Sequence, residues 1–162
     1  MPVTAIDGTS LGFMVRGAFA ERRLTNVVIP ESVAYIGHSA FAGNHLTGIT
    51  FPNSIKSINS LAFTNNQLTS VIIPTGVTFI GERAFQNNPL TSITIPDSIK
   101  SLDENMFNGS YRNLIRVSIG ANIDIYAVSN AIWIGFSNAY KNNGRRAGDY
   151  TRSGNQWNFQ PR

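Results

Sequence analysis

Residues Leu68–Pro89 read LTSVIIPTGVTFIGERAFQNNP, and the stretch before them, Leu46–Gln67, reads LTGITFPNSIKSINSLAFTNNQ. The two lines share one plan. Aligned on leucine, Leu24, Leu46, Leu68 and Leu90 are spaced by 22 residues, and Leu114 follows after 24. Three positions past each leucine stand Val27, Ile49, Val71, Ile93 and Val117; five past it stand Ile29, Phe51, Ile73, Ile95 and Ile119. Pro30, Pro52, Pro74 and Pro96 come next, with Gly120 in the last copy. Two more apolar columns follow, Val33, Ile55, Val77, Ile99 and Ile123, then Ile36, Ile58, Ile80 and Leu102. The pairs Ala40-Phe41, Ala62-Phe63, Ala84-Phe85 and Met106-Phe107 close the units, and SLGFMVRGAF at Ser10–Phe19 matches the second half of one. Five copies and a degenerate leading one are therefore legible.

Around each leucine, apolar and polar residues alternate for about five positions until proline stops them, which is the pattern of a short strand. The unit has no room for a long helix. A repeat of this length is one turn of a solenoid, with parallel strands stacked on one face and the rest of the turn returning beneath. One turn cannot bury its own apolar side, so stacked neighbours supply the burial and each end needs a cover. Asn65-Asn66 and Asn87-Asn88, with Asn44 in the same column, fall where the chain swings back to the strand. A stacked asparagine ladder satisfying turn backbone is the expectation there.

Composition agrees with strands and turns. Only 14% of the 162 residues are charged, and there is no cysteine, which removes disulfides, thiolate metal sites and cysteine nucleophiles. The net charge of +4 is not a nucleic-acid signal: residues 1–140 carry eight basic and eight acidic side chains, and residues 141–162 carry five against one. A neutral repeat body lacks the continuous basic stripe that phosphate binding needs. No apolar run approaches the roughly 18 residues that span a bilayer, and no basic segment followed by an apolar one opens the chain, so neither membrane insertion nor a signal peptide is read.

These columns resemble the leucine-rich repeat of the BspA-like type, whose units run close to L-T-S-V-T-I-P-x-S-V-x-x-I-G-x-x-A-F-x-x-N, over residues 8–126. The commonest leucine-rich pattern wants Asn or Cys where this chain has Ser32, Ser54, Gly76 and Ser98. The pitch and curvature of better-known horseshoes are therefore not carried over. The segment from Ile134, IGFSNAYKNNGRRAGDYTRSGNQW, is similar to the terminal segment of BspA-like proteins from spirochaetes. The resemblance implies a cell-surface, periplasmic or secreted bacterial protein that binds macromolecules, in several members host matrix or other cells, without catalytic residues.

The residues of the tail support a cap in their own right. Phe136 and Tyr140 are four apart and Gly144 follows Asn143, which fits a short helix with a glycine stop. Tyr150–Arg152 and Gln156–Phe159 flank Ser153-Gly154-Asn155 as a hairpin. Trp133, Phe136, Tyr140, Tyr150, Trp157 and Phe159 read as the core of that cap in preference to an aromatic ligand box. The expected architecture is a leucine-rich-repeat-like, right-handed solenoid of short parallel strands over residues 1–133, with few or no helices in the repeats, and a helix-plus-hairpin cap over 134–162. Met1 enters inside a degenerate unit, so a trimmed mature form is expected.

Little suggests chemistry. His38 and His45 occupy loop columns and have no further ligands at compatible spacing. Glu82, Asp103 and Glu104 are scattered acids, and Asn108-Gly109-Ser110 reads as a turn inside the two-residue expansion before Leu114. No phosphate loop, nucleophile elbow or zinc motif occurs. No catalytic residue, cofactor or metal is expected. What remains is surface: the outward strand positions Asn26, Val28, Thr50, Ser70, Ile72, Thr94 and Arg116 form the candidate binding face, joined by Gly48, Ser92 and Ser118. Phe13, Tyr35 and Phe79 form a second candidate contact column, whose plainer explanation is partial burial against neighbouring turns. The expected function is non-enzymatic binding of a protein or glycan, on host matrix or another cell, through a face of the solenoid. The alternative is a structural module that self-assembles into homo-oligomers.

Overall fold

The computed structural model describes residues 13–14, 17–110, 112–126 and 131–161. Most of the leading copy before Gly17, including the region around Met1, lies outside them. In chain order the strands are β1 (Phe13–Met14), β2 (Tyr35–Ile36), β3 (Ser57–Ile58), β4 (Ser70–Ile72), β5 (Phe79–Ile80), β6 (Ser92–Ile95), β7 (Ser101–Asp103), β8 (Arg116–Ile119) and β9 (Asp124–Tyr126). Helix α1 (Ala131–Asn142) and the hairpin β10 (Gly148–Ser153) and β11 (Gln156–Pro161) follow. A four-residue 3-10 turn, Glu104–Phe107, is the only helical piece within the described repeats.

The chain is a β-solenoid, and each turn carries two strand sites. The front ladder is β4–β6–β8, parallel and in 22- or 24-residue register: Val71 lies opposite Ile93, and Ile93 opposite Val117. A second parallel ladder, β1–β2–β3–β5, aligns Phe13, Tyr35, Ser57 and Phe79. Strands β7 and β9 form a separate parallel pair that continues this side. The second ladder carries no strong sequence signal, because a two-residue strand is too short to show alternation.

The apolar columns all point into one core. Leu46, Val33, Ile55, Ile58, Ala62 and Phe63 are fully buried, as are their equivalents in neighbouring turns. The phenylalanines stack ring on ring through the stack: Phe19, Phe41, Phe63, Phe85 and Phe107 have centroids 5.2–6.2 Å apart with interplanar angles of 4–18°. A flat ring fits a register that repeats every turn, since each ring presents the same face to the next.

Asparagine fixes the return. The Asn44, Asn66 and Asn88 carboxamide oxygens accept from the Leu24, Leu46 and Leu68 amides at 2.9–3.1 Å. Their NH2 groups donate to a carbonyl of the previous turn, at Phe19, Phe41 and Phe63, at 2.7–2.9 Å. They donate also to Phe41, Phe63 and Phe85 of their own turn, at 3.0–3.2 Å. Each buried amide thus satisfies three backbone groups and staples two turns. Ser110 takes the next place in the column and accepts from the Asn88 amide at 3.3 Å. Asn108-Gly109-Ser110 therefore belongs to the regular unit, and the two extra residues fall after Ser110, not around it. Ser54 and Ser98, where the commoner repeat has Asn or Cys, donate to the carbonyls of Val33 and Val77 one turn back.

Each turn also bends twice through left-handed backbone. Gly17, Ser39, Leu61 and Arg83 form one such column, with φ of 55–63°, and Glu21, Gly43, Asn65, Asn87 and Gly109 form another, with φ of 53–83°. Only glycine adopts this region freely, so the non-glycine members store strain that the stack holds in place.

At the carboxy-terminal end α1 runs from Ala131, three residues before the boundary expected for the cap. It stops as a helix with an αL glycine should: Gly144 has φ +66°, its amide donates to Lys141 O at 2.9 Å, and the Arg145 amide donates to Tyr140 O at 3.0 Å. Of the six tail aromatics, Trp133, Phe136, Tyr140 and Tyr150 are core, and Trp157 and Phe159 are half-buried against it. Trp133 meets Phe107 edge-on at 5.6 Å, Phe136 contacts Trp133, Tyr140, Tyr150 and Trp157, and Tyr150 meets Phe159 at 4.9 Å. The phenylalanine stack thus runs straight into the cap. Tyr140 donates to Gly120 O at 2.7 Å and accepts from the Ile123 amide at 3.0 Å. Tyr150 is equally buried, but its hydroxyl has no partner among the described residues. Burial, reinforced by the neighbouring Tyr140, pushes its pKa up to about 12; burial raises that of Tyr140 as well.

The hairpin does more than cover the end. β10 pairs antiparallel with β8, so the front sheet reads β11–β10–β8–β6–β4. Ser118, expected on the outward face, is instead buried, and its hydroxyl donates to Asp149 of β10.

Candidate functional site: the front face of the solenoid

The front ladder ends at β4. Among the described residues no backbone hydrogen bond joins the rung Asn26–Ile29 to Gly48–Phe51, or Gly48–Phe51 to Ser70–Ile73. Phe51 marks the break: its column is otherwise Ile29, Ile73, Ile95 and Ile119, and its ring sits edge-on to Phe63 at 5.5 Å. The break falls at the one rung whose column residue is a ring turned edge-on to the phenylalanine stack. The two gaps without backbone bonds are the ones that flank this rung.

A cleft opens on each side of that rung. The larger, of about 590 Å³, is lined by Asn26, Val28, Thr50 and Ser70, with Ile49 and Phe51 at the unpaired rung and Glu31 as its acidic side chain. The smaller, of about 270 Å³, is lined by Ile49, Thr50, Phe51, Asn53, Ser70 and Ile72. Val28 and Ile72 are 54% and 69% exposed, the two apolar side chains that stand up on this face. A third hollow, of about 420 Å³, runs from Ile72 past Thr94 to Ile119 and Ala147. Chemically the face offers apolar patches, hydroxyls, side-chain amides and unpaired backbone groups, with little charge.

The structure brings five of the predicted face residues, Asn26, Val28, Thr50, Ser70 and Ile72, to the paired clefts. Thr94 lines the third hollow beside Ile72. Arg116 stands apart: it is exposed on β8, opposite Thr151 of the hairpin, and lines none of these clefts. Phe51 and Ile49 were missed as site residues because their columns are apolar and read as core. The one available signal was the ring at Phe51 among isoleucines.

In the second column Tyr35 and Phe79 are 37% and 53% exposed, that is, partly buried, and Phe13 is placed by its register with Tyr35. Tyr126 is 59% exposed on β9, and with Phe79, Glu82, Ser101 and Asp103 it lines a cleft of about 310 Å³. The Gln67 side-chain NH2 donates to His45 Nδ1 at 3.3 Å. Among the described residues no three His, Asp or Glu side chains gather. No described helix is long and apolar enough to cross a membrane.

Residues 14–132 match the BspA type leucine rich repeat region in six copies. The chain belongs to the BspA-type leucine-rich repeat family. A solved leucine rich repeat protein from T. pallidum is similar at 25% identity over 75% of this chain and 70% of that one, with a TM-score of 0.50. No curated protein matches. Repeats of this family serve as protein-interaction modules, are typically non-enzymatic, and occur generally in bacterial surface or exported proteins.

Proposed function

We propose that this BspA-type repeat protein is a binding module of a bacterial surface or exported protein, and that it takes an uncharged segment of a protein partner on its front face. The partner's setting is host matrix or another cell. The observation that carries the reading is the open rung Gly48–Phe51. It leaves backbone donors and acceptors unpaired between two clefts walled by Val28 and Ile72. A partner loop supplies apolar side chains to the clefts and backbone groups to the rung, as in strand addition. The near absence of charge favours a polar or apolar segment over an acidic or basic one.

The test is a binding screen against matrix proteins, glycans and whole cells, with the wild type and with Val28→Ser/Ile72→Ser. Both positions are exposed, so the variant folds. Burying two such side chains is worth about 3 kcal/mol or more, which corresponds to a loss of more than a hundredfold in affinity. A wild type that binds no protein, or a double variant that binds equally well, removes the front face from consideration. Loss of binding in Tyr35→Ser/Phe79→Ser instead transfers the site to the second column.

A further inference from the structure

We propose that the outer edge of β11 pairs with the same edge of a second copy of this chain, about a two-fold axis at Asn158, joining two front sheets into one. This is independent of the binding role of the front face. Among the described residues no strand lies on the outer side of β11.

The hydrogen-bond parity of the edge follows from the hairpin. β10 and β11 are joined by Gly154-Asn155, and Gly154 has φ +59°, as the first central residue of a type II′ turn requires. The closing pair Ser153 and Gln156 of such a turn is hydrogen-bonded. The Arg152 amide confirms the alternation, since it donates away from β11 to Ile115 O at 2.8 Å. Ser153, Thr151 and Asp149 therefore face Gln156, Asn158 and Gln160, their register partners. Trp157 and Phe159, between them, direct N–H and C=O to the open edge. Pro161 shares their parity, and its missing N–H ends the row there.

Natural edges are usually protected by lysine, a bulge or an inward charge. Residues 156–161, QWNFQP, carry no charge, and proline at the last position is the only such device. Antiparallel pairing about Asn158 sets Trp157 opposite Phe159 of the second copy. Four backbone bonds then close, because each residue of that pair both donates and accepts, twice by symmetry. On the exposed face Gln156 meets Gln160 of the second copy and Asn158 meets its own equivalent. Carboxamides donate and accept at once, so like meets like without an unpaired group. On the other face Trp157 and Phe159 are half-buried and already held by Phe136 and Tyr150, at 5.2 and 4.9 Å. This palindromic row of side chains favours a second copy over an unrelated strand. The contact is smaller than the roughly 1,000 Å² of a stable interface, so the dimer is weak and concentration-dependent.

Sedimentation velocity over a concentration series, reaching millimolar chain, tests this. The wild type associates to a dimer. Asn158→Lys and Asn158→Asp each weaken association by about tenfold or more, because two like charges then stand roughly 5 Å apart across the axis. An equimolar mixture of the two variants associates at least as well as the wild type, and Asn158→Ala stays close to it. Asn158 is exposed, and thermal unfolding in dilute solution checks that each variant folds. A wild type that stays monomeric at millimolar concentration overturns the proposal. So does a lysine variant that dimerises like the wild type, or a mixture no better than its components.

Discussion

Two buried tyrosines of the cap receive opposite predictions for the same chemical change. Tyr150→Phe removes a hydroxyl that has no partner among the described residues, while the ring contacts to Phe136, Tyr140 and Phe159 remain. An unsatisfied buried polar group costs about 1–3 kcal/mol, so its removal stabilises by about 1 kcal/mol, or roughly 2–4 °C in Tm for a chain of this size. Tyr140→Phe removes two bonds and leaves the Gly120 carbonyl and the Ile123 amide unpaired; it destabilises by about 2 kcal/mol. Alkali separates them further. Below pH 10 both the folded and the unfolded chain keep the Tyr150 proton. Between pH 10 and about 12 the unfolded chain releases it and the folded chain does not, so stability falls by about 1.4 kcal/mol per pH unit. Tyr150→Phe makes that decline shallower without abolishing it, because the pKa of Tyr140 is raised too. Urea unfolding at pH 7 and at pH 11 reads all of this. A destabilised Tyr150→Phe, or an unchanged slope in alkali, refutes the reasoning.

Three further outcomes are expected. Asn66→Ala leaves the Leu46 amide and the Phe41 and Phe63 carbonyls without their partner and destabilises by about 3 kcal/mol in urea unfolding, whereas Asn65→Gly relieves left-handed strain and is neutral or stabilising. Arg83→Gly, at φ 58° with an exposed side chain whose ion pair to Glu82 is worth little, stabilises by about 1 kcal/mol, seen as a rise in Tm. Phe51→Ile restores the isoleucine column and lets the Gly48–Phe51 rung pair with β4, so its amides exchange more slowly and partner affinity falls.

The sequence made the core and the period legible, because burial repeats the same residue types at the same columns. Leu68, Val71, Ile73, Val77, Ile80, Ala84 and Phe85 are all buried where their columns place them, and the asparagines do the work their turn position implies. Pairing was less legible. The column pattern treats every rung alike, yet the rung that carries Phe51 bonds to neither neighbour while β4–β6–β8 are bonded. Ser118 alternates outward like Ser92, but a hairpin thirty residues later covers it, and no local pattern announces a strand that joins from the tail. The second ladder was visible only as its aromatic residues. The site was half legible for the same reason: exposed positions follow from alternation, clefts follow from pairing.

Amide hydrogen exchange resolved by residue, on the chain alone and then with a captured protein partner, tests the central claim most directly. Alone, Ile29 and Gly48–Phe51 exchange quickly while Ile93–Ile95 of β6 are protected; with the partner, Gly48–Phe51 become protected as their open groups are taken up. Slow exchange of Gly48–Phe51 in the free chain, or new protection confined to Tyr35 and Phe79, contradicts it.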